Sequence, residues 1–168
     1  VAWTAPPLPL QTAITVPFRW DAASPLAGLK TLNYLPQILG RQAAAAAGAH
    51  EGIFLNHAGA LVEGCASNLF WVRDGVLFTP SLACGPLPGI TRAQALTLAA
   101  QMGQPGQEGA FPRQHLLEAD EAFLTNSLQG VTPLIRFDGQ VLGQGQPGPF
   151  TTRLQSLLRR AEISLAGS

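Results

Sequence analysis

Two Asp-Gly pairs, Asp74-Gly75 and Asp138-Gly139, interrupt runs of apolar and β-branched residues and mark where the chain must reverse. A two-residue hairpin needs positive φ at both central positions, which Asp-Gly adopts readily. Each pair therefore ties together two antiparallel strands: 68–73 with 76–79, and 134–137 with 140–142. A third reversal at His57-Ala58-Gly59 separates 52–56 from 60–63. Strands are also expected at 11–19 (QTAITVPFR), running into a turn over 21–25, and at 122–125.

Helical periodicity fills the gaps. After Asn33, which can serve as an N-cap, Leu35, Ile38, Leu39, Ala43 and Ala46 fall on one face, and Gly48 closes the helix. A second helix spans 89–102 with Ala95, Leu98, Ala99 and Met102 on its apolar face and Gly103 as its stop. A short helix is expected at 115–119. A last one starts near Thr151 and buries Leu154, Leu157, Leu158, Ala161 and Leu165. The stretches 103–109 and 143–148 read as loops, and Pro6, Pro7 and Pro9 make 1–10 an extended linker. Hairpins mixed with isolated helices, without internal repeats, imply a single α+β or mixed α/β domain.

At 168 residues the chain suits one well-packed domain. Ten acidic residues balance ten basic ones, 12% of residues are charged and 46% are hydrophobic. A large core is expected, and nucleic acid is an unsuitable partner because no basic stripe faces its phosphates. Cys65 and Cys84 fit neither a disulfide framework nor zinc spacing, and His50, His57 and His115 are scattered. No apolar run reaches membrane-spanning length and no signal peptide opens the chain, so a cytoplasmic protein without a membrane partner is expected.

One residue stands apart chemically. Lys30 is the only lysine; the other nine basic residues are arginine. Arginine stays charged and cannot serve as an amine nucleophile, whereas a lysine amine can lose its proton and form a Schiff base with a carbonyl. Gly89-Ile90-Thr91 opens a helix whose free N–H groups and hydroxyl suit a phosphate, although taken by itself Thr91 reads more simply as a plain N-cap. Ser127 could donate from a strand end or close a local turn. Glu63 reads as a surface carboxylate or as the partner of a protonated pyridine nitrogen, and Tyr34 as a core aromatic or as a donor to a phenolate oxygen.

Jointly, Leu29-Lys30-Thr31-Leu32-Asn33-Tyr34, Glu63-Gly64-Cys65-Ala66-Ser67-Asn68-Leu69-Phe70, Thr79-Pro80 and Leu87-Pro88-Gly89-Ile90-Thr91-Arg92 resemble the class IV aminotransferase family. These are the pyridoxal-phosphate enzymes of fold type IV: branched-chain aminotransferases, D-amino acid aminotransferases and aminodeoxychorismate lyases. The resemblance runs from about Pro25 to the final helix. It implies the C-terminal pseudo-barrel domain of that fold, with 1–24 as interdomain linker and first strand, 25–168 as the cofactor-binding domain, and an N-terminal domain missing. It implies pyridoxal phosphate as cofactor, Lys30 as the Schiff-base residue and proton shuttle, and Glu63 at the ring nitrogen. Leu87 would pack on the ring, with Ile90, Thr91, Ser127 and Leu128 around the phosphate, Tyr34 toward the phenolate oxygen, and Asn126 toward the substrate.

Within the family, Thr125-Asn126-Ser127-Leu128-Gln129-Gly130 and the run from Glu63 to Trp71 look most like the aminodeoxychorismate lyases. The implied reaction converts 4-amino-4-deoxychorismate to 4-aminobenzoate and pyruvate, a step in folate biosynthesis. The alternatives are a D-amino acid or branched-chain aminotransferase, or a truncated non-catalytic relative. A small-molecule substrate and a homodimer of the complete protein are implied in either enzymatic case.

Overall fold

The computed structural model describes residues 10–166, with side chains through Ala161, so all but the last residue of the expected 1–10 linker and the expected burial of Leu165 lie outside the described residues. The chain forms β1 (Gln11–Trp20), α1 (Leu35–Ala46), β2 (Glu51–Asn56), β3 (Leu61–Gly64), β4 (Asn68–Arg73), β5 (Val76–Pro80), α2 (Ile90–Gln101), β6 (Gln107–Gly109), α3 (Arg113–Leu117), β7 (Glu121–Asn126), β8 (Gly130–Phe137), β9 (Gln140–Val141) and α4 (Pro149–Ala166). A single 3₁₀ turn at Leu82–Cys84 follows β5. No helix among the described residues is long and apolar enough to cross a membrane.

The strands form one sheet in the order β3-β2-β1-β8-β7-β4-β5-β6, with β9 paired to β8. Its two ends meet. The Leu61 N–H at the start of β3 donates to the carbonyl of Phe111 (2.8 Å), and Ala60 bridges Pro112, just beyond β6. The sheet therefore curls into a pseudo-barrel, and the fold is mixed α/β.

Residue alternation divides the core. On β4, Leu69 and Trp71 join Ile53, Leu61, Leu124 and Phe137 inside the barrel, while Phe70 and Val72 pack outside against Ala95, Ala99, Leu154 and Leu158 of α2 and α4. Phe54, Val16 and Val62 form a smaller outer cluster with Cys65. Because helices cover the outer face, β2 is buried along its whole length and shows no polar alternation.

The Asp-Gly hairpins form as expected: φ is +51° at Asp74, +75° at Gly75, +48° at Asp138 and +80° at Gly139. Several boundaries differ. The 103–109 loop contains β6, whose backbone pairs in parallel with β5. The short helix begins two residues early, after Pro112, and the last begins at Pro149, where a missing N–H is tolerated. Within that last helix Leu154 and Leu158 are buried, whereas Leu157 and Ala161 are only partly so.

The largest correction concerns α1. Its N-cap position is Tyr34, not Asn33, with no capping side chain, and Leu35, Ile38 and Leu39 are 60%, 47% and 44% exposed. The buried face carries Gly40 and Ala44 instead. A Cβ at Gly40 would lie 2.6 Å from Cys65 Sγ and 3.1 Å from the Phe54 ring, so only the smallest side chains allow so close an approach to the sheet. That approach turns the larger apolar residues outward.

Candidate functional site

A cleft of about 430 Å³ opens where β3 and β7 end and β4 begins, bounded also by the segment 28–34 and the start of α2. Lys30, Tyr34, Glu63, Leu87, Ile90, Thr91, Asn126 and Ser127 all line it. Leu128 does not: its side chain is 95% exposed, and its N–H donates to Asn126 Oδ1 (3.0 Å) in a local turn.

The turn from β3 to β4 places the first two polar groups. The Gly64 N–H donates to the Ser67 carbonyl (2.7 Å), which brings Glu63 and Asn68 side by side at its two ends. Asn68 Nδ2 donates to Glu63 Oε2 (3.2 Å) and to the Leu87 carbonyl (2.8 Å), and the Leu87 N–H donates to Glu63 Oε2 (2.9 Å). Both bonds to the carboxylate thus fall on one oxygen. Glu63 is buried, and loss of hydration is the main reason its carboxyl is pushed up to about 8; the Leu87 N–H opposes this, Glu51 adds to it, and Arg92 reduces it. A carboxylate so placed calls for a cation.

The start of α2 supplies the opposite polarity. Gly89 is its N-cap, and the first intrahelical bond runs from the Ala93 N–H to the Gly89 carbonyl (3.0 Å). The N–H groups of Ile90, Thr91 and Arg92 therefore precede the helical ladder, at the positive end of a twelve-residue helix. Arg92 is buried and fixes this end by donating to the Pro80 carbonyl (2.9 Å) and to Glu108. A Cβ at Gly89 would meet Asn68 Oδ1 at 2.2 Å, so glycine is what lets the helix start lie against the Glu63–Asn68 pair.

Lys30 lies in the exposed segment between Gly28 and Tyr34, with no hydrogen-bond or ion-pair partner among the described residues. Tyr34 anchors that segment: its hydroxyl donates to the Cys65 carbonyl (3.1 Å), and partial burial raises its pKa above the usual phenol value. The cleft thus combines a buried carboxylate with no ion-pair partner among the described residues, the Lys30 amine, and a helix N-terminus with Thr91 and Ser127 among the lining residues. Those parts fit pyridoxal phosphate, which carries a basic ring nitrogen, an aldehyde and a phosphate.

Sequence reasoning did not single out Asn68 or Thr125 as site residues. They face each other across β4 and β7, and the Thr125 hydroxyl is buried with no hydrogen-bond partner among the described residues. Nor did it single out Trp20, which lines the cleft and donates from Nε1 to the Gly85 carbonyl (3.0 Å). Only the sheet register and the path of the loops bring these three to the site.

Comparison with known proteins supports the same assignment. The family model for Amino-transferase class IV matches residues 1–137. The chain belongs to this family. Its members use pyridoxal phosphate. A branched-chain-amino-acid aminotransferase of Escherichia coli is 39% identical over 140 residues, covering 81% of this chain and 45% of the relative. A Legionella pneumophila structure provisionally designated a 4-amino-4-deoxychorismate lyase superposes with a TM-score of 0.87 at 32% identity, covering 94% of this chain and 58% of that one. The branched-chain aminotransferase of Thermoproteus uzoniensis, solved with norvaline, superposes with a TM-score of 0.84 at 38% identity, covering 91% and 51%. The chain spans about half the length of the curated relatives it matches.

Proposed function

We propose that this chain is the cofactor-binding part of a pyridoxal-phosphate enzyme acting on a small amino compound, and that its reaction is that of an aminodeoxychorismate lyase. The cofactor supplies the electron sink that lets an amine-bearing carbon release a proton. Glu63 would hold the ring nitrogen protonated, because its buried charge, which accepts from the Leu87 N–H and from Asn68 but has no ion-pair partner among the described residues, is best stabilised by a cation. The α2 N–H groups, with Thr91 and Ser127, would hold the phosphate, and Leu87 would pack against the ring. Lys30 would be the residue that binds the cofactor through Nζ and, as a free amine, the group that accepts the proton from the substrate carbon. Cleavage of the ring carbon–oxygen bond would release enolpyruvate, which regains at carbon a proton equivalent to the one taken from the ring and so becomes pyruvate; the ring is left aromatic as 4-aminobenzoate, and aromatisation drives the step.

The observation that carries the cofactor reading is the Glu63 carboxylate, buried in the wall of the cleft with no ion-pair partner among the described residues. The lyase reading rests on the run from Thr125 to Gly130 at the cleft edge, together with the likeness to the Legionella protein. Tyr34, tied to the Cys65 carbonyl at the cleft wall, and the identity to branched-chain aminotransferases favour a second reading, amino-group transfer to a keto acid. Leu29 and Ile90 line the cleft yet are 58% and 77% exposed, so we place a further part of the protein or a second subunit over them.

Assay of the full-length protein separates the readings. A lyase releases pyruvate and 4-aminobenzoate from aminodeoxychorismate with no keto acid added. Turnover of branched-chain or D-amino acids that depends strictly on a keto acid, with no 4-aminobenzoate formed, would refute the lyase.

A further inference from the structure

Behind the cleft, and not among its lining residues, lies a second buried carboxylate. Glu51, the first residue of β2, is 5% exposed and has no ion pair among the described residues. Its Oε1 accepts from the N–H groups of Gly52 (3.0 Å) and Cys65 (3.2 Å), and its Oε2 accepts from Ser67 Oγ (3.1 Å). Two of its three donors belong to the turn that separates Glu63 from Asn68. Gly64 completes the packing: a Cβ there would meet Ser67 Oγ at 2.2 Å and Glu51 Oε2 at 3.1 Å.

A buried carboxylate served only by neutral donors is costly to keep, so a purely packing role would be met better by an uncharged residue. What Glu51 adds is a fixed hub and a charge. The hub reaches residues 65 and 67 directly, and Tyr34 is attached to the same turn through the Cys65 carbonyl.

We propose that Glu51 is a positioning residue for the cleft: it holds the turn that spaces Glu63 and Asn68, and it adds a negative charge behind Glu63 that favours a cationic ring nitrogen. The proposal rests on the reading of Glu63 as the ring's partner. The charged and titratable groups around this region are Glu63 on β3, the Cys65 thiol in the turn, and Tyr34 with Arg41 on the α1 side; Arg92 on α2 also acts on Glu63. Glu51 raises the proton affinity of both Glu63 and Cys65.

Two substitutions separate charge from geometry. Glu51→Gln keeps an acceptor for the two N–H groups and removes the charge; Ser67→Ala keeps the charge and removes one arm of the turn. In full-length, cofactor-free protein labelled with carbon-13 glutamate, the Glu63 carboxyl is titrated by NMR, its resonance assigned by its loss in Glu63→Gln. Pyridoxal phosphate affinity is then measured by equilibrium dialysis. Glu51→Gln should lower the Glu63 midpoint by about half a pH unit or more, the direction expected on removing a neighbouring like charge. Ser67→Ala should leave that midpoint in place and weaken pyridoxal phosphate binding about threefold or more, as expected for one lost hydrogen bond.

An unmoved Glu63 midpoint in Glu51→Gln, or wild-type affinity in Ser67→Ala, overturns the proposal. If Glu51→Gln yields no folded protein, the affinity of Ser67→Ala alone decides it. The titration uses no cofactor, so it stands apart from the assignment of Glu63, which fails separately if Glu63→Gln binds pyridoxal phosphate with unchanged affinity and spectrum.

Discussion

Glu63→Gln isolates the energetic cost of the buried charge. In the folded protein the Glu63 carboxyl is raised from 4.5 to about 8. A carboxyl raised on folding contributes stability that is complete below its unfolded value and is lost as pH rises through the folded value. Cofactor-free wild type should therefore weaken progressively between about pH 4.5 and about pH 8 and then level off, as far as this group is concerned. Integrating the proton linkage from about pH 5 to about pH 9 gives a loss on the order of 4 kcal/mol. Glutamine does not titrate, and its amide oxygen can still accept from the Leu87 N–H and from Asn68. The variant should thus be markedly more stable than wild type near pH 9 and close to it near pH 5.

Urea denaturation of both proteins without cofactor, at matched ionic strength and several pH values, reads the difference directly. Adding pyridoxal phosphate supplies the missing cation to wild type, so saturation should remove most of its alkaline loss while the variant gains less. The variant should also turn over slowly on every substrate, because a neutral amide cannot hold the ring proton. Parallel pH–stability curves for the two cofactor-free proteins would refute the reasoning, since Glu63 would then be adequately hydrated and in no need of a cation.

Lys30→Ala should leave stability within about 0.5 kcal/mol, as for other exposed positions without partners, yet abolish the yellow absorbance of the cofactor-loaded protein. Borohydride reduction followed by peptide mapping should find the wild-type adduct on Lys30; an adduct only on the terminal amine sinks the assignment. Gly89→Ala forces a methyl group toward Asn68 Oδ1 and should weaken pyridoxal phosphate binding about tenfold by dialysis; unchanged affinity means the contact relaxes freely. Glu121→Ala removes the acceptor for the N–H groups of Phe150 (3.1 Å) and Thr151 (2.8 Å) and for the Thr151 hydroxyl (2.8 Å) at the start of α4. It should cost about 2–3 kcal/mol in urea denaturation while cofactor affinity stays at the wild-type level.

What could be read before the structure divides along physical lines. The Asp-Gly turns were legible because the demand for positive φ is met by two adjacent residues. The α2 start was legible because Gly89 and Thr91 signal a helix end locally. The buried face of α1 was not. Apolar size points Leu35, Ile38 and Leu39 inward, but the face is chosen by how near β1 and β2 come, and only Gly40 and Ala44 fit that gap. β6 was invisible for a related reason: Gln107–Gly109 has no strand character of its own and pairs because β5 presents an open edge. The cleft follows the same division. Glu63, Lys30 and Thr91 are conspicuous by their chemistry, each the right type of group for one part of a cofactor. Glu51 is not conspicuous, because a glutamate at the start of a strand usually faces water. It acquires meaning only when β2 and β3 pair with Ile53 opposite Gly64, which lays the turn after β3 across the Glu51 carboxylate. That contact joins residues fourteen and sixteen positions apart, a separation set by two strands and their connection, so no local periodicity encodes it.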